Sequence, residues 1–255
     1  MRCLYFVLLL VSLVEGAPLC ELEKIAIKYN GTKLDHDYLP IYNQYFSQIR
    51  NEKLTFLEIG FGSGPSVSAY MWEEFFPEAE LHYIDHSDLD ITEYGLSNRS
   101  HLHRGDQTDE WFLCFLANSV DGFDIIIDDG SHVVEDQIVT FECLFPYVKS
   151  GGVYVIEDLH TSYWKEFGGR GGPGNPQSSP NSATEYLKKL VDHVNYVGAF
   201  TGCANRTMAK NRVDTGVDQH GTYAFPKDFF ETLNPWTRDI KSIHFYDSVC
   251  FIFKR

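Results

Sequence analysis

The sequence predicts an α/β fold: a mostly parallel seven-stranded sheet closed by a C-terminal antiparallel hairpin. Three observations carry this. Short apolar runs alternate with helix-patterned stretches between residues 55 and 157, as in a parallel sheet covered by helices. The run Phe123–Asp128 contains three consecutive isoleucines, the pattern of a strand buried on both faces. Two β-rich runs near the end of the chain are split only by Asp247 and Ser248, the spacing of a tight hairpin.

The elements follow in order. Thr55 to Gly60 is a first strand ending in glycines, and Pro65 to Phe76 has helical spacing through Val67, Tyr70, Met71 and Phe75. Glu80–Asp85 is a second strand and His101–Asp106 a third. Thr108–Leu116 reads as a helix, Phe123–Asp128 as a strand, Asp136–Val148 as a helix and Gly152–Glu157 as a fifth strand. Residues 167–182 are rich in glycine and proline and are expected to form a loop, a candidate lid. Thr184–Tyr196 returns to helix, residues 200–226 look irregular and polar, and Ser242–Tyr246 with Val249–Phe253 make the hairpin.

Of 255 residues, 44% are apolar and 15% aromatic, enough for one large core. The formal net charge is −15. No basic stripe is present, which argues against a nucleic-acid partner. Residues 1–16 resemble a signal peptide: Arg2, an apolar run from Cys3 to Val14, and small residues Val14 and Gly16 before Ala17. The run is short for a membrane span. A single domain over 17–255 in a secreted or luminal protein is therefore expected, without membrane attachment after cleavage. Sequons at Asn30, Asn98 and Asn205 fit that route. Cleavage would leave five cysteines. Cys114 and Cys143 lie in helix-like apolar stretches and read as buried thiols, while Cys20, Cys203 and Cys250 are the better disulfide candidates.

Three motifs carry chemistry. Glu58-Ile-Gly60-Phe-Gly62-Ser-Gly64 lies where a strand turns into a helix, so its glycines let backbone approach a ligand. Pro65 stands where a dinucleotide fingerprint needs glycine. Asp85 ends the next strand, where a carboxylate can accept ribose hydroxyls. Asp106 and Gln107 end the third strand and are candidates for the adenine. The second motif is Asp128-Asp129-Gly-Ser-His132, at the end of a buried strand. Adjacent carboxylates there are costly unless paired or metal-bound. His132, beside them, can take a proton from a hydroxyl. The third motif is Glu157-Asp158-Leu-His160, at the neighbouring strand end. Oxygen ligands from Asp129, Glu157 and Asp158 suit Mg²⁺ or Mn²⁺.

Together with Gly105-Asp-Gln107, Thr161-Ser-Tyr-Trp164 and Ile243-His-Phe-Tyr-Asp247, these segments resemble the metal-dependent sugar O-methyltransferases of macrolide biosynthesis, the macrocin and mycinamicin type. The resemblance covers residues 50–165 and the terminal hairpin. It implies a Rossmann-like class I methyltransferase, S-adenosylmethionine, Mg²⁺ and a small-molecule hydroxyl acceptor. It gives His132 the role of general base and Asp129, Glu157 and Asp158 that of metal ligands. Glu58, Gly60, Gly62, Gly64, Asp85, Asp106, Gln107 and Asp128 would serve the cofactor. Two alternatives stay open: a binding protein without turnover, and a hydroxylase of the cephalosporin-hydroxylase-like group using His132, His160 and Asp129.

Overall fold

The computed structural model describes residues 18–62, 67–170, 178–216 and 226–255. The signal-peptide segment, Gly64 and the middle of the glycine/proline-rich stretch lie outside the described residues.

Seven strands form one sheet: β1 (Thr55–Ile59), β2 (Glu80–Asp85), β3 (Ser100–Arg104), β4 (Phe123–Asp128), β5 (Val148–Ile156), β6 (Ile240–Phe245) and β7 (Cys250–Lys254), in the order β3-β2-β1-β4-β5-β7-β6. The first five run parallel, and β7 is antiparallel to both β5 and β6. This is the α/β sheet that the alternation predicts, closed by the hairpin.

The helices are α1 (Glu21–Tyr29), α2 (Tyr38–Phe46), α3 (Val67–Phe75), α4 (Glu110–Ser119), α5 (Val134–Leu144), α6 (Ala183–Thr201), α7 (Arg206–Thr215) and α8 (Pro235–Asp239). α1, α2 and α3 bury Leu22, Tyr42, Phe46, Trp72 and Phe75 against one face of the sheet. α4, α5 and α6 bury Leu113, Phe141, Leu144 and Leu187 against the other. Both faces are covered, which is why Ile125, Ile126 and Ile127 are all buried. A smaller cluster joins Val197, Ala209, Val213, Phe229 and Leu233.

Two expectations need correction. Residues 200–226 are not wholly irregular, because α7 forms with Asn205 as its cap, its side chain accepting from the Met208 N–H at 2.9 Å. Among the described residues the five cysteines are free: Cys203 and Cys250 are buried, and Cys20, Cys114 and Cys143 half-buried. The disulfide candidates are thus unpaired, and Cys114 and Cys143 are less buried than their apolar neighbours suggest.

The strand order reverses between β1 and β4, so the crevice opens there, at the carboxyl ends of the strands. Register fixes what lines it. Ile59 pairs with Ile84 and Asp128, and Asp128 pairs with Ile156. The residues just beyond these strands, Gly60, Asp129 and Glu157, therefore emerge side by side.

Candidate active site

A cavity of about 770 Å³ occupies this crevice, lined by Gly60, Gly62, Asp85, Asp106, Gln107, Asp129 and His132, among others. Gly60 has φ +95°, and a Cβ there would meet the Asp129 carbonyl oxygen at 2.1 Å. Only glycine lets the β1 turn pass so close to the Asp-Asp-Gly loop. Gly62 has φ +81° with nothing within 4 Å of a built Cβ. The space beside it belongs to the cavity.

Asp85 holds this turn. Its Oδ2 accepts from the N–H groups of Phe61 (2.9 Å) and Gly62 (3.1 Å), and its Oδ1 from that of Ser87 (2.8 Å). Burial opposes its ionisation, but the hydrogen bonds from Ser87, Phe61 and Gly62 outweigh it and hold the carboxyl below its usual range. Asp106 accepts from the Thr108 N–H at 2.8 Å and also lines the cavity. Gln107 spans the wall: its Oε1 accepts from the Ser131 N–H (2.7 Å) and its Nε2 donates to Thr140 (3.1 Å).

Two of the expected cofactor residues lie elsewhere. Glu58 is fully buried beneath the loop and accepts from Ser68 (2.7 Å) and the Trp72 indole (3.1 Å). It anchors α3 rather than lining the cavity. Asp128 is also fully buried, with Tyr154 donating at 3.3 Å, and burial pushes it up to about 7. Both point inward because they occupy strand positions, where neighbouring side chains alternate between faces.

The acids beyond the strands form two groups. Asp129, His132 and Asp158 each bring a ligand atom within 4.8 Å of the others. His132 Nε2 is 3.9 Å from Asp129 Oδ1 and 3.5 Å from Asp158 Oδ2. His132 Nδ1 is buried without a hydrogen-bond partner. Both His132 (φ +58°) and Asp158 (φ +56°) adopt the left-handed region. Such conformations cost about 1–3 kcal/mol each and gather at functional sites. Asp158 accepts from the Tyr38 hydroxyl at 2.7 Å and faces His36 at 3.3 Å. Burial raises its carboxyl, but Tyr38 and the histidines hold it below the usual range.

Glu157 is not in that group. Its Oε1 accepts from Lys33 Nζ (2.7 Å) and the Tyr42 hydroxyl (2.5 Å). Burial, then the charge of Asp129, pushes it up to about 8. Burial works against the charge on Lys33, and Asp129, Glu157 and Glu58 overcome it and keep the ammonium protonated. His160 Nδ1 is hydrogen-bonded to Ser248 Oγ and lies 4.0 Å from Asp158 Oδ1, outside the Asp129–His132–Asp158 group. The two-histidine arrangement of the hydroxylase alternative is therefore not assembled.

Lys33, His36, Tyr38 and Tyr42, all from the segment ahead of β1, stand outside the three sequence motifs. Tyr38 and Tyr42 stand four apart on α2, one helical face, and that spacing was the available signal. Lys33 sits in a 3₁₀ turn (Thr32–Leu34) with no motif around it.

No family model matches the chain. It is 39% identical to demethylmacrocin O-methyltransferase of Streptomyces fradiae over 214 residues, covering 76% of this chain and 53% of that enzyme. It is 34% identical to mycinamicin VI 2''-O-methyltransferase of Micromonospora griseorubida over 188 residues, 71% of this chain and 46% of the relative. Among solved structures, MycE methyltransferase from the mycinamycin biosynthetic pathway, in complex with Mg and SAH, superposes with a TM-score of 0.72 at 30% identity. That match covers 94% of this chain and 55% of MycE. The chain spans about half the length of the curated relatives it matches.

Proposed function

We propose that this chain, which belongs to the family of the macrocin- and mycinamicin-type sugar O-methyltransferases, transfers a methyl group from S-adenosylmethionine to a hydroxyl of a sugar or similar small molecule. One observation carries the reading: His132 Nε2 stands between Asp129 and Asp158 at the edge of a cavity built from the glycine turn.

The residues divide the work. Gly60, Gly62, Asp85, Asp106 and Gln107 line the part of the cavity suited to the cofactor. Asp85 keeps the glycine turn closed through backbone N–H groups, and its uncommitted lone pairs can accept ribose hydroxyls. Asp129 and Asp158, with the His132 ring nitrogen beside them, fit a hard divalent cation. Such an ion, Mg²⁺ or Mn²⁺, would orient an acceptor oxygen and make its hydroxyl more acidic. His132 removes the acceptor proton as the oxygen forms its bond to the methyl carbon and the carbon–sulfur bond breaks. Alignment of the two reactants supplies much of the rate.

Calorimetry with S-adenosylmethionine, with Mg²⁺ and with chelator, tests the cofactor site. Binding at micromolar level that Gly62→Arg abolishes is the expected result. His132→Ala is expected to retain cofactor affinity within about twofold and to lose at least 10²-fold in turnover, the usual worth of a general base. Full turnover by that variant removes His132 from the role.

We propose separately that the protein enters the secretory pathway. Its support is the apolar run after Arg2 and the exposure of Asn30, Asn98 and Asn205. Asn205 caps α7 through Oδ1, which leaves its Nδ2 available to a glycan. Expression in a eukaryotic secretory host and treatment with an N-glycosidase checks this by a mass shift; an unmodified product retained inside the cell would contradict it.

A further inference from the structure

Two of the five described cysteines stand together. Cys114 on α4 and Cys143 on α5 line a second cavity, of about 350 Å³, with Glu110, Glu142 and Tyr147 around them. Both are half-buried and therefore within reach of solvent. The other three are dispersed: Cys20, Cys250 and Cys203 belong to three different hydrophobic clusters.

Hydrogen bonds on either side fix how the two helices meet. Ahead of the pair, Gln107 Nε2 donates to Thr140 Oγ1 at 3.1 Å. Beyond it, Asn118 Nδ2 donates to the Tyr147 hydroxyl at 3.1 Å. Cys114 lies one turn before Asn118 on α4, and Cys143 one turn before Tyr147, which ends the 3₁₀ turn that follows α5. Residues four apart share a helix face, so the thiols occupy the next rung of the same ladder. Burial first, then the charges of Glu110, an ionised Cys114 and Glu142, pushes Cys143 up to about 11. The acids thus disfavour a reduced, ionised pair, the state whose stabilisation makes a disulfide strongly oxidising. A bridge in this place would be structural rather than catalytic.

We propose that Cys114 and Cys143 are an oxidisable pair that closes to a disulfide joining α4 to α5. The thiolate of one attacks a sulfur of a small-molecule disulfide, and half of that oxidant leaves as a thiol. The thiolate of the other then attacks the mixed disulfide and releases the second half. Two cysteine sulfurs are oxidised, the oxidant is reduced to two thiols, and the two cysteine protons end on them. The bridge closes residues 114–143 into a loop, which restricts the unfolded chain. It also ties together the helices behind Gln107, which the Ser131 N–H and Thr140 hold in the cavity wall. The inference is independent of the methyltransferase reading and of the compartment the protein occupies.

The test incubates the full chain with oxidised glutathione, quenches by alkylation with iodoacetamide, and digests without reduction. Mass spectrometry should find a Cys114 peptide joined to a Cys143 peptide, and the joined species should vanish after dithiothreitol. The melting temperature should rise by about 5–10 °C on oxidation and return on reduction. Cys114→Ser and Cys143→Ser should each give no joined peptide and a melting temperature that the oxidant moves by less than about 2 °C. If either variant fails to fold, the peptide map of the wild-type protein still decides. Alkylation or glutathionylation of both residues without a link would overturn the proposal, as would a bridge from either one to a different cysteine. A Cys114–Cys143 link that leaves the melting temperature unchanged or lower would overturn the structural role.

Discussion

Gly60 and Gly62 share a positive φ but face different surroundings, and that contrast is testable. At Gly60 an added Cβ collides with backbone, the Asp129 carbonyl at 2.1 Å, which cannot swing aside as a side chain can. At Gly62 the added atom enters open space. Gly62→Ala should therefore cost only the left-handed conformation, about 1 kcal/mol. Gly60→Ala should cost about 3–5 kcal/mol, because the loop carrying Asp129 must shift as well. Urea denaturation reads both, and similar losses would contradict the assignment. Cofactor affinity should fall in both variants, since both glycines line the cavity. The sequence motif identified these glycines without separating them. What separates them is the neighbouring strand, whose approach depends on β1–β4 register.

At the scale of elements, the β2–β3 edge stacks three imidazoles. His82 lies between His101 and His103, with ring centroids at 5.0 and 5.2 Å, and its Nδ1 is 2.9 Å from His103 Nε2. Burial, then the two neighbours, pushes His82 down to about 4, and burial lowers His103 as well. The native state thus binds fewer protons than the unfolded chain, whose histidines titrate near pH ~6.5. Their contribution is intact above that pH and is lost as pH falls toward 4. Asp128, raised to about 7, acts in the opposite sense over much of that range, so the comparison must be between variants. His82→Phe should flatten the acid side of the stability profile between pH 6.5 and 4. An unchanged slope would mean that the stack does not resist protonation.

The elements also show where sequence patterning ran out. The buried parallel strands were legible because each is a short apolar run ended by glycine or acid, and the positions of β2 and β4 agree with the runs read from sequence. α7 was not, because only Ala209 and Val213 of its ten residues are buried, too sparse a stripe to stand out. Its cap Asn205 and its terminal Gly216 were the local signals. Glu58 and Asp128 show the same limit at the site. A motif gives which residues are close along the chain, but whether a side chain faces ligand or core depends on strand pleat and on the helix packed beneath.

At the scale of the whole molecule, the site is closed by segments from both ends of the described chain. α2 reaches it through Tyr38 and Tyr42, and the β6–β7 turn through Ser248, which bonds His160 and lies near Tyr38. Global stability and metal binding should therefore be coupled through α2, while cofactor binding should not, because the cavity wall around Gly62 and Asp85 is built without it. Tyr38→Phe/Tyr42→Phe keeps both rings in the core but removes the hydroxyls from Asp158 and Glu157. Leaving each carboxylate one partner short should cost about 1–3 kcal/mol per site. A ligand at a hundredfold its dissociation constant adds about 2.7 kcal/mol, which raises the melting temperature by about 5–10 °C in a protein of this size. The double variant should keep that shift with S-adenosylmethionine and lose most of the Mn²⁺ shift, because Asp158 is no longer held toward His132. Loss of both shifts would mean that α2 supports the entire crevice. Retention of both would show that the tyrosine hydroxyls stabilise the fold without organising the metal-binding acids.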